Sequence, residues 1–170
     1  MSETRSAIAD HVRDHPGVHF SAVVRALDLA PGQVQYHLRR LRRDDRVVAE
    51  EVRGRTHLYP PGYDDWERAA LAMFRRETAR DLLAHLLDRG SATPGDLADD
   101  LGVARSTVEW HLDELVARDL VAKRRSGNRV WLELVRPEAT ADLLGTVTPS
   151  LPERMVDRFA KLVDGLVEDG

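Results

Sequence analysis

Apolar residues recur at helical spacing in three short segments before the rhythm of the chain changes. Ile8 to Asp14 predicts a first helix, which His15-Pro16-Gly17 stops. Phe20 to Leu27 predicts a second, with Phe20, Val23, Val24 and Leu27 along one side. Ala30-Pro31-Gly32 then makes a turn. Pro31 suits the first position of a third helix because the N–H it lacks has no helical partner there. That helix runs to about Asp44 and places Val34, Leu38 and Leu41 on one buried stripe. Val47 to Val52, a turn at Gly54 and Arg55 to Tyr59 follow as a two-stranded hairpin.

The same pattern returns 74 positions later. VQYHLRRL from Val34 to Leu41 matches VEWHLDEL from Val108 to Leu115, and residues 7–59 align without a gap on 81–133. About a dozen of roughly fifty paired positions are identical, among them His11/His85, Leu27/Leu101, Ala30/Ala104, His37/His111, Leu58/Leu132 and Arg55/Arg129. The period is too long for a solenoid repeat and fits two copies of a small domain. In the second copy Gly102-Val103-Ala104-Arg105-Ser106 forms the turn, and Ser126-Gly127-Asn128 the hairpin tip. Three helices followed by a hairpin is the order of a winged helix-turn-helix. The expected fold class is therefore α+β and predominantly helical. It comprises two tandem winged helix-turn-helix domains over 1–62 and 81–136, a connecting helix over 63–80 and a C-terminal helical segment over 137–170.

HPGVHFSAVVRALDLAPGQVQYHLRRLRRDDRVV, a wing ending RTHLYP, and LADDLGVARSTVEWHLDELVARDLV together resemble the archaeal winged-helix regulators of the ArsR/MarR-like superfamily. The resemblance spans most of residues 5–135 and leaves the middle helix and tail uncovered. It implies a repressor or activator of transcription, and some relatives sense metals or small molecules. An unidentified small-molecule effector is thus a partner the resemblance admits. The metal-sensing branch uses cysteines, and this chain has none.

The net charge of −4 would repel DNA if it were spread evenly. It is not. Lysine occurs only at Lys123 and Lys161 while arginine and aspartate abound, a bias that resembles salt-adapted haloarchaeal proteins, so local basic patches carry the information. The 42% hydrophobic content supports packed cores. No apolar run approaches the roughly 18 residues of a membrane span, and the start MSETRSAIADHVRDHP is too charged for a signal peptide. The expectation is a cytoplasmic protein that does not engage a membrane.

With Val34, Leu38 and Leu41 inward, helical geometry turns Gly32, Tyr36, Arg39, Arg40 and Arg43 outward, with Gln33 to one side. Arginine reads guanine edges or grips phosphate, and glutamine reads adenine. In the second copy the outward set is Ser106, Trp110, Asp113, Glu114 and Ala117, whose carboxylates oppose DNA. Its wing is the more basic, with Lys123, Arg124, Arg125, Asn128 and Arg129 against Glu50, Glu51, Arg53 and Arg55 in the first. Two readings stand for the second copy. It holds the DNA backbone through its wing and through Arg105, Ser106 and Thr107, or its acidic helix faces protein. Tyr36 and Trp110, at equivalent outward positions, suit thymine methyls, stacking or a partner surface. His37 and His111 flank the buried stripes and are expected to be partly buried and bonded near the wing. His11, His15 and His19 lack a frame of zinc ligands, so no metal is expected, and no cofactor.

Asp64 begins a helical stretch through Trp66, Ala69, Ala70, Met73, Phe74 and Ala79 that is expected to run on into Leu82, Leu83, Leu86 and Leu87. Past Pro137, a short helix near Ala139–Leu144 precedes Thr148-Pro149-Ser150, a helix-start signal. The last helix aligns Leu151, Met155, Phe159, Leu162 and Leu166. This stripe must be buried, by folding back on the second copy or by pairing two chains; the homodimer is the preferred expectation.

Three function classes follow. The first is a regulator of double-stranded DNA whose first-domain recognition helix reads bases while the wings contact the backbone. The alternative is a tandem winged-helix protein-interaction module in a chromosome-organisation or transcription complex. An enzyme is not expected, because no paired carboxylates, nucleophile signature or phosphate-binding glycine loop is present.

Overall fold

The computed structural model describes residues 2–147, and the chain divides into two compact units after Arg75. In the first unit, α1 (Glu3–Asp14) starts where the Ser2 hydroxyl accepts the Arg5 N–H, and it buries Ile8, Ala9 and Val12. A two-residue strand, β1 (Val18–His19), leads into α2 (Phe20–Leu27). Asp28 ends α2 in the left-handed conformation, φ 51°, letting the Leu29 N–H reach the Val24 carbonyl at 3.2 Å. Ala30 has no side-chain acceptor to offer α3 (Pro31–Arg43), so Gln33 turns back and accepts the Ala30 N–H at 3.2 Å.

Three rows of apolar side chains meet between these helices. Ile8 and Val12 from α1, Val23 from α2, and Val34 and Leu41 from α3 are fully buried with Leu58. Truncating Leu41 to alanine would cost about 2–5 kcal/mol, the usual penalty for a cavity in a packed core. The wing is β2 (Val48–Val52) paired antiparallel with β3 (Arg55–Tyr59). Because Val52 pairs with Arg55, only Arg53 and Gly54 form the loop, and both have positive φ, 49° and 78°. That is the signature of a type I′ hairpin turn.

β1 also pairs with β3, Val18 opposite Leu58 and His19 opposite His57, giving a three-stranded sheet of order β1-β3-β2. Gly17, just before β1, passes close to the backbone of Leu71. It sits at φ 85°, and a Cβ there would stand 3.0 Å from the Leu71 carbonyl oxygen. Leu71 belongs to α4 (Asp65–Met73), which is capped by Asp64 and Glu67 in a reciprocal pair of hydrogen bonds.

The helix expected to run from Asp64 through Leu87 does not form as one piece. α4 ends at Met73, and Arg76 is extended at φ −109°, ψ 120°. Phe74 is buried and keeps right-handed geometry, the Arg75 guanidinium donates to the Pro16 carbonyl at 2.8 Å, and the chain leaves helical geometry at Arg76.

The second unit repeats the plan with α5 (Glu77–Arg89), α6 (Pro94–Leu101), α7 (Arg105–Ala117), β4 (Val121–Ser126) and β5 (Arg129–Leu134). The equivalent of β1 shrinks to a single bridge, in which Ala92 and Leu132 exchange both backbone hydrogen bonds. The end of the third helix is preserved in detail. Asp45 and Asp119 are left-handed, φ 54° and 58°, while Arg46 and Leu120 donate to the Leu41 and Leu115 carbonyls at 2.8 and 2.9 Å. α8 (Pro137–Val147) packs on α5, and its buried residues include Leu143 and Leu144. Among the described residues no helix is long and apolar enough to cross a membrane. The expected dimerisation stripe of Leu151, Met155, Phe159, Leu162 and Leu166 lies outside the described residues.

Candidate nucleic-acid interface

Burial of Val34, Leu38 and Leu41 fixes the rotation of α3, so Gln33, Tyr36, Arg39, Arg40 and Arg43 are all exposed. Tyr36 is 51% exposed despite its size. Its hydroxyl accepts from the Arg40 Nη1 at 2.8 Å, and the guanidinium lies 5.6 Å from the ring centroid. Arg39, Arg42 and Arg43 have no carboxylate partner among the described residues, leaving the outward face of α3 a surface of unneutralised guanidiniums. Gln33 is partly engaged by its capping bond, which uses one lone pair of its amide oxygen and leaves the amide donors for other contacts.

Arg53 and Arg55 sit at the exposed tip of the first wing. The acidic character expected of this wing is reduced, because Glu50 is half-buried and accepts the Arg68 Nε at 2.7 Å. Burial opposes the Arg68 charge, yet the bond to Glu50 and the neighbouring Asp65 raise its pKa above the ordinary arginine value.

In the second unit the basic candidates are exposed but largely paired. Arg105 faces Glu109 at 3.4 Å, Lys123 faces Asp113 at 3.9 Å, and Arg124 faces Glu133 at 2.5 Å. Arg125 and Arg129 keep no such ion pair among the described residues, and Ser106 and Thr107 are exposed at the start of α7. Trp110 is 52% exposed. Glu114 departs from its expected outward position, being half-buried and accepting the Arg118 Nε at 2.9 Å. The acidic face of α7 is therefore reduced to Glu109 and Asp113, each with a cation beside it.

His37 is partly buried, and among the described residues no hydrogen bond joins it to the wing. Its ring meets Tyr36 edge-on at 5.1 Å, and its Nδ1 is buried without a hydrogen-bond partner among the described residues. Burial, and then the charges of Arg5 and Arg40, hold its pKa below the usual histidine value. His111 meets Trp110 in the same way at 4.8 Å. His11 stacks on His15 at 4.2 Å, and His19 lies against His57 at 4.3 Å. Among the described residues no group of three or more histidines or carboxylates converges as a metal site would.

Sequence reasoning missed Arg25 and Arg42. Arg42 follows Leu41 and flanks the buried stripe, yet it reaches the surface and lines a groove with Arg39. Arg25 lies in the last turn of the amphipathic α2, a place that the apolar spacing of Phe20–Leu27 makes readable.

Residues 2–71 match a family model described as an N-terminal HTH domain, and residues 76–124 match one described as a helix-turn-helix domain. The chain carries two helix-turn-helix domains. The first contains α1 to α3 and the wing, and the second family match runs from α5 into the start of the second wing. The chain is 25% identical over 130 residues to an uncharacterized HTH-type transcriptional regulator of Methanocaldococcus jannaschii. That match covers 76% of this chain and 33% of the relative, so the chain spans about a third of the curated relative's length. Among solved structures, HlyU from Vibrio cholerae is similar at 24% identity and a TM-score of 0.43, over 48% of this chain and 88% of that one. The transcriptional repressor BigR from Xylella fastidiosa is similar at 19% identity and a TM-score of 0.44, over 50% and 86%.

Proposed function

We propose that this chain is a DNA-binding transcription regulator that reads duplex DNA through α3 of its first helix-turn-helix domain. The observation that carries this reading is the exposed α3 face, where Tyr36 stands among arginines that no carboxylate among the described residues neutralises. A helix so equipped offers bidentate donors to guanine and point charges to phosphate, and it has the width of a major groove. Arg53 and Arg55 of the first wing add contacts to the backbone. Arg105, Ser106, Thr107, Lys123, Arg124, Arg125 and Arg129 do so in the second domain, where ion pairing weakens Arg105, Lys123 and Arg124.

The second reading applies to the second domain alone. Its exposed Trp110 beside Asp113 favours contact with a protein surface over contact with bases. Two chains pairing through the tail would present two α3 helices to a palindromic site. Neither the site nor the fold calls for catalysis, and the relatives are regulators.

A mobility-shift titration against the DNA upstream of the protein's own gene, repeated across salt concentrations, tests the proposal. Binding that prefers this DNA over a scrambled duplex supports it. Equal binding to both, or none, overturns base readout.

A further inference from the structure

The repeat makes one comparison possible that neither domain offers alone. In the first domain a groove of about 470 Å³ opens between the first turns of α2 and the wing, lined by His19, Ser21, Arg25, Arg55 and Thr56 with Phe20 and Gly54. In the second, a groove of about 430 Å³ is lined by the residues 74 positions on from every one of these, among them Gly95, Asp99 and Arg129. The shape has been kept and the charge has not. Arg25 is replaced by Asp99, and Asp96 joins the lining where the first domain has Ala22. The first groove thus has two guanidiniums, from two different elements, with no carboxylate in its lining. The second sets Arg105 and Arg129 against Asp96 and Asp99.

We propose that the groove of the first domain is a clamp for a backbone phosphate of duplex DNA, with Arg25 and Arg55 closing on it from α2 and the wing. Guanidinium forks match phosphate oxygens, and the Ser21 and Thr56 hydroxyls supply neutral donors beside them. The groove adjoins the α3 face: Phe20 and Thr56 also line the neighbouring groove that holds Arg39 and Arg42. A strand gripped at Arg25 is therefore contiguous with the surface proposed to read bases. The second domain, with Asp99 at the same place, has lost this grip. Arg25 and Arg55 have no carboxylate partner among the described residues, so no ion pair must break before phosphate binds.

This clamp rests on the DNA-binding reading, and the experiment separates the two. The full chain is titrated with a fluorescent mixed-sequence duplex at several salt concentrations, since phosphate contacts are independent of sequence. For Arg25→Gln the slope of log affinity against log salt is expected to fall by about 0.9, with affinity about tenfold weaker. Arg25→Lys, which keeps the charge, is expected to restore most of the slope. A wild-type chain that fails to bind overturns the DNA-binding reading and the clamp with it. A wild-type chain that binds, with an Arg25→Gln slope unchanged, overturns the clamp alone. Inorganic phosphate titrated into the DNA-free chain gives the last arm. Tight, Arg25-dependent binding of it with no change in the DNA slope would assign the groove to free phosphate and overturn the proposal.

Discussion

The Arg40 guanidinium donates to the Tyr36 hydroxyl at 2.8 Å from one turn further along α3, and it leans over the same ring. Free arginine side chains sample many rotamers, and holding one in place lowers the entropy lost on binding. Tyr36 thereby positions Arg40 in the outward face. The equivalent pair in the second domain, Trp110 and Glu114, has neither the hydroxyl nor the guanidinium. Tyr36→Phe removes the bond and keeps the ring. Binding to a duplex selected from a random pool is expected to weaken about fivefold, the equivalent of roughly 1 kcal/mol, while non-specific binding stays unchanged. Equal losses on both duplexes, read by fluorescence anisotropy, would sink the positioning role.

How far such features were readable in the sequence depends on their range. α2 forms over Phe20–Leu27 as its apolar spacing predicts, and Tyr36, Arg39, Arg40 and Arg43 face outward because Val34, Leu38 and Leu41 face inward. Both are local consequences of a period of 3.6. β1 was not legible, since two residues carry no period and its partner Leu58 lies forty positions from Val18. The break after Met73 has no proline or glycine to announce it, and the burial of Phe74 and the long-range bond from Arg75 to Pro16 that accompany it are visible only in the fold. Ion pairs such as Glu50–Arg68 and Arg124–Glu133 join residues from different elements or strands, so the charge actually presented by each wing had to await the fold.

Those pairs predict unequal consequences for equal-looking arginines. Arg43 has no carboxylate partner among the described residues, so Arg43→Ala should lower the salt slope of DNA binding by about 0.9 if it meets a phosphate. Arg124 is held by Glu133 at 2.5 Å, and Arg124→Ala should lower the slope by less than half as much. Glu133→Gln frees Arg124 and should steepen the slope. A larger effect from Arg124→Ala than from Arg43→Ala would show that the ion pair opens on binding.

Arg53 occupies a left-handed position, φ 49°, that favours asparagine or glycine. Arg53→Asn creates the Asn-Gly sequence preferred in a type I′ turn and should stabilise the chain by about 1 kcal/mol in urea denaturation. The same change removes a wing charge and should weaken DNA binding. Opposite signs in the two measurements are expected. A variant that is less stable would mean that the Arg53 side chain contributes more to folding than its backbone strain costs.

Stability should also fall on mild acidification, and the sign follows from histidine burial. Burial, with the charges of Arg5 and Arg40, lowers the His37 pKa from its ordinary 6.5, and burial and His15 lower that of His11 against the opposing pull of Asp14. Between the lowered folded values and 6.5, the unfolded chain binds more protons than the folded one, so stability rises with pH through that window. The contribution is fully present above about 6.5 and is lost as pH falls below it. Asp96 acts elsewhere. The Thr93 hydroxyl and backbone N–H hold its pKa below 3.8, so its stabilisation is present above that value and is lost only in stronger acid. The urea midpoint of the wild-type chain should therefore drop from about pH 7.5 to about pH 5.5. His37→Gln should flatten that drop, because the substituted side chain has no proton to gain. A midpoint that rises on acidification, or a His37→Gln profile parallel to wild type, would remove His37 from the account and leave His11 as the group to test.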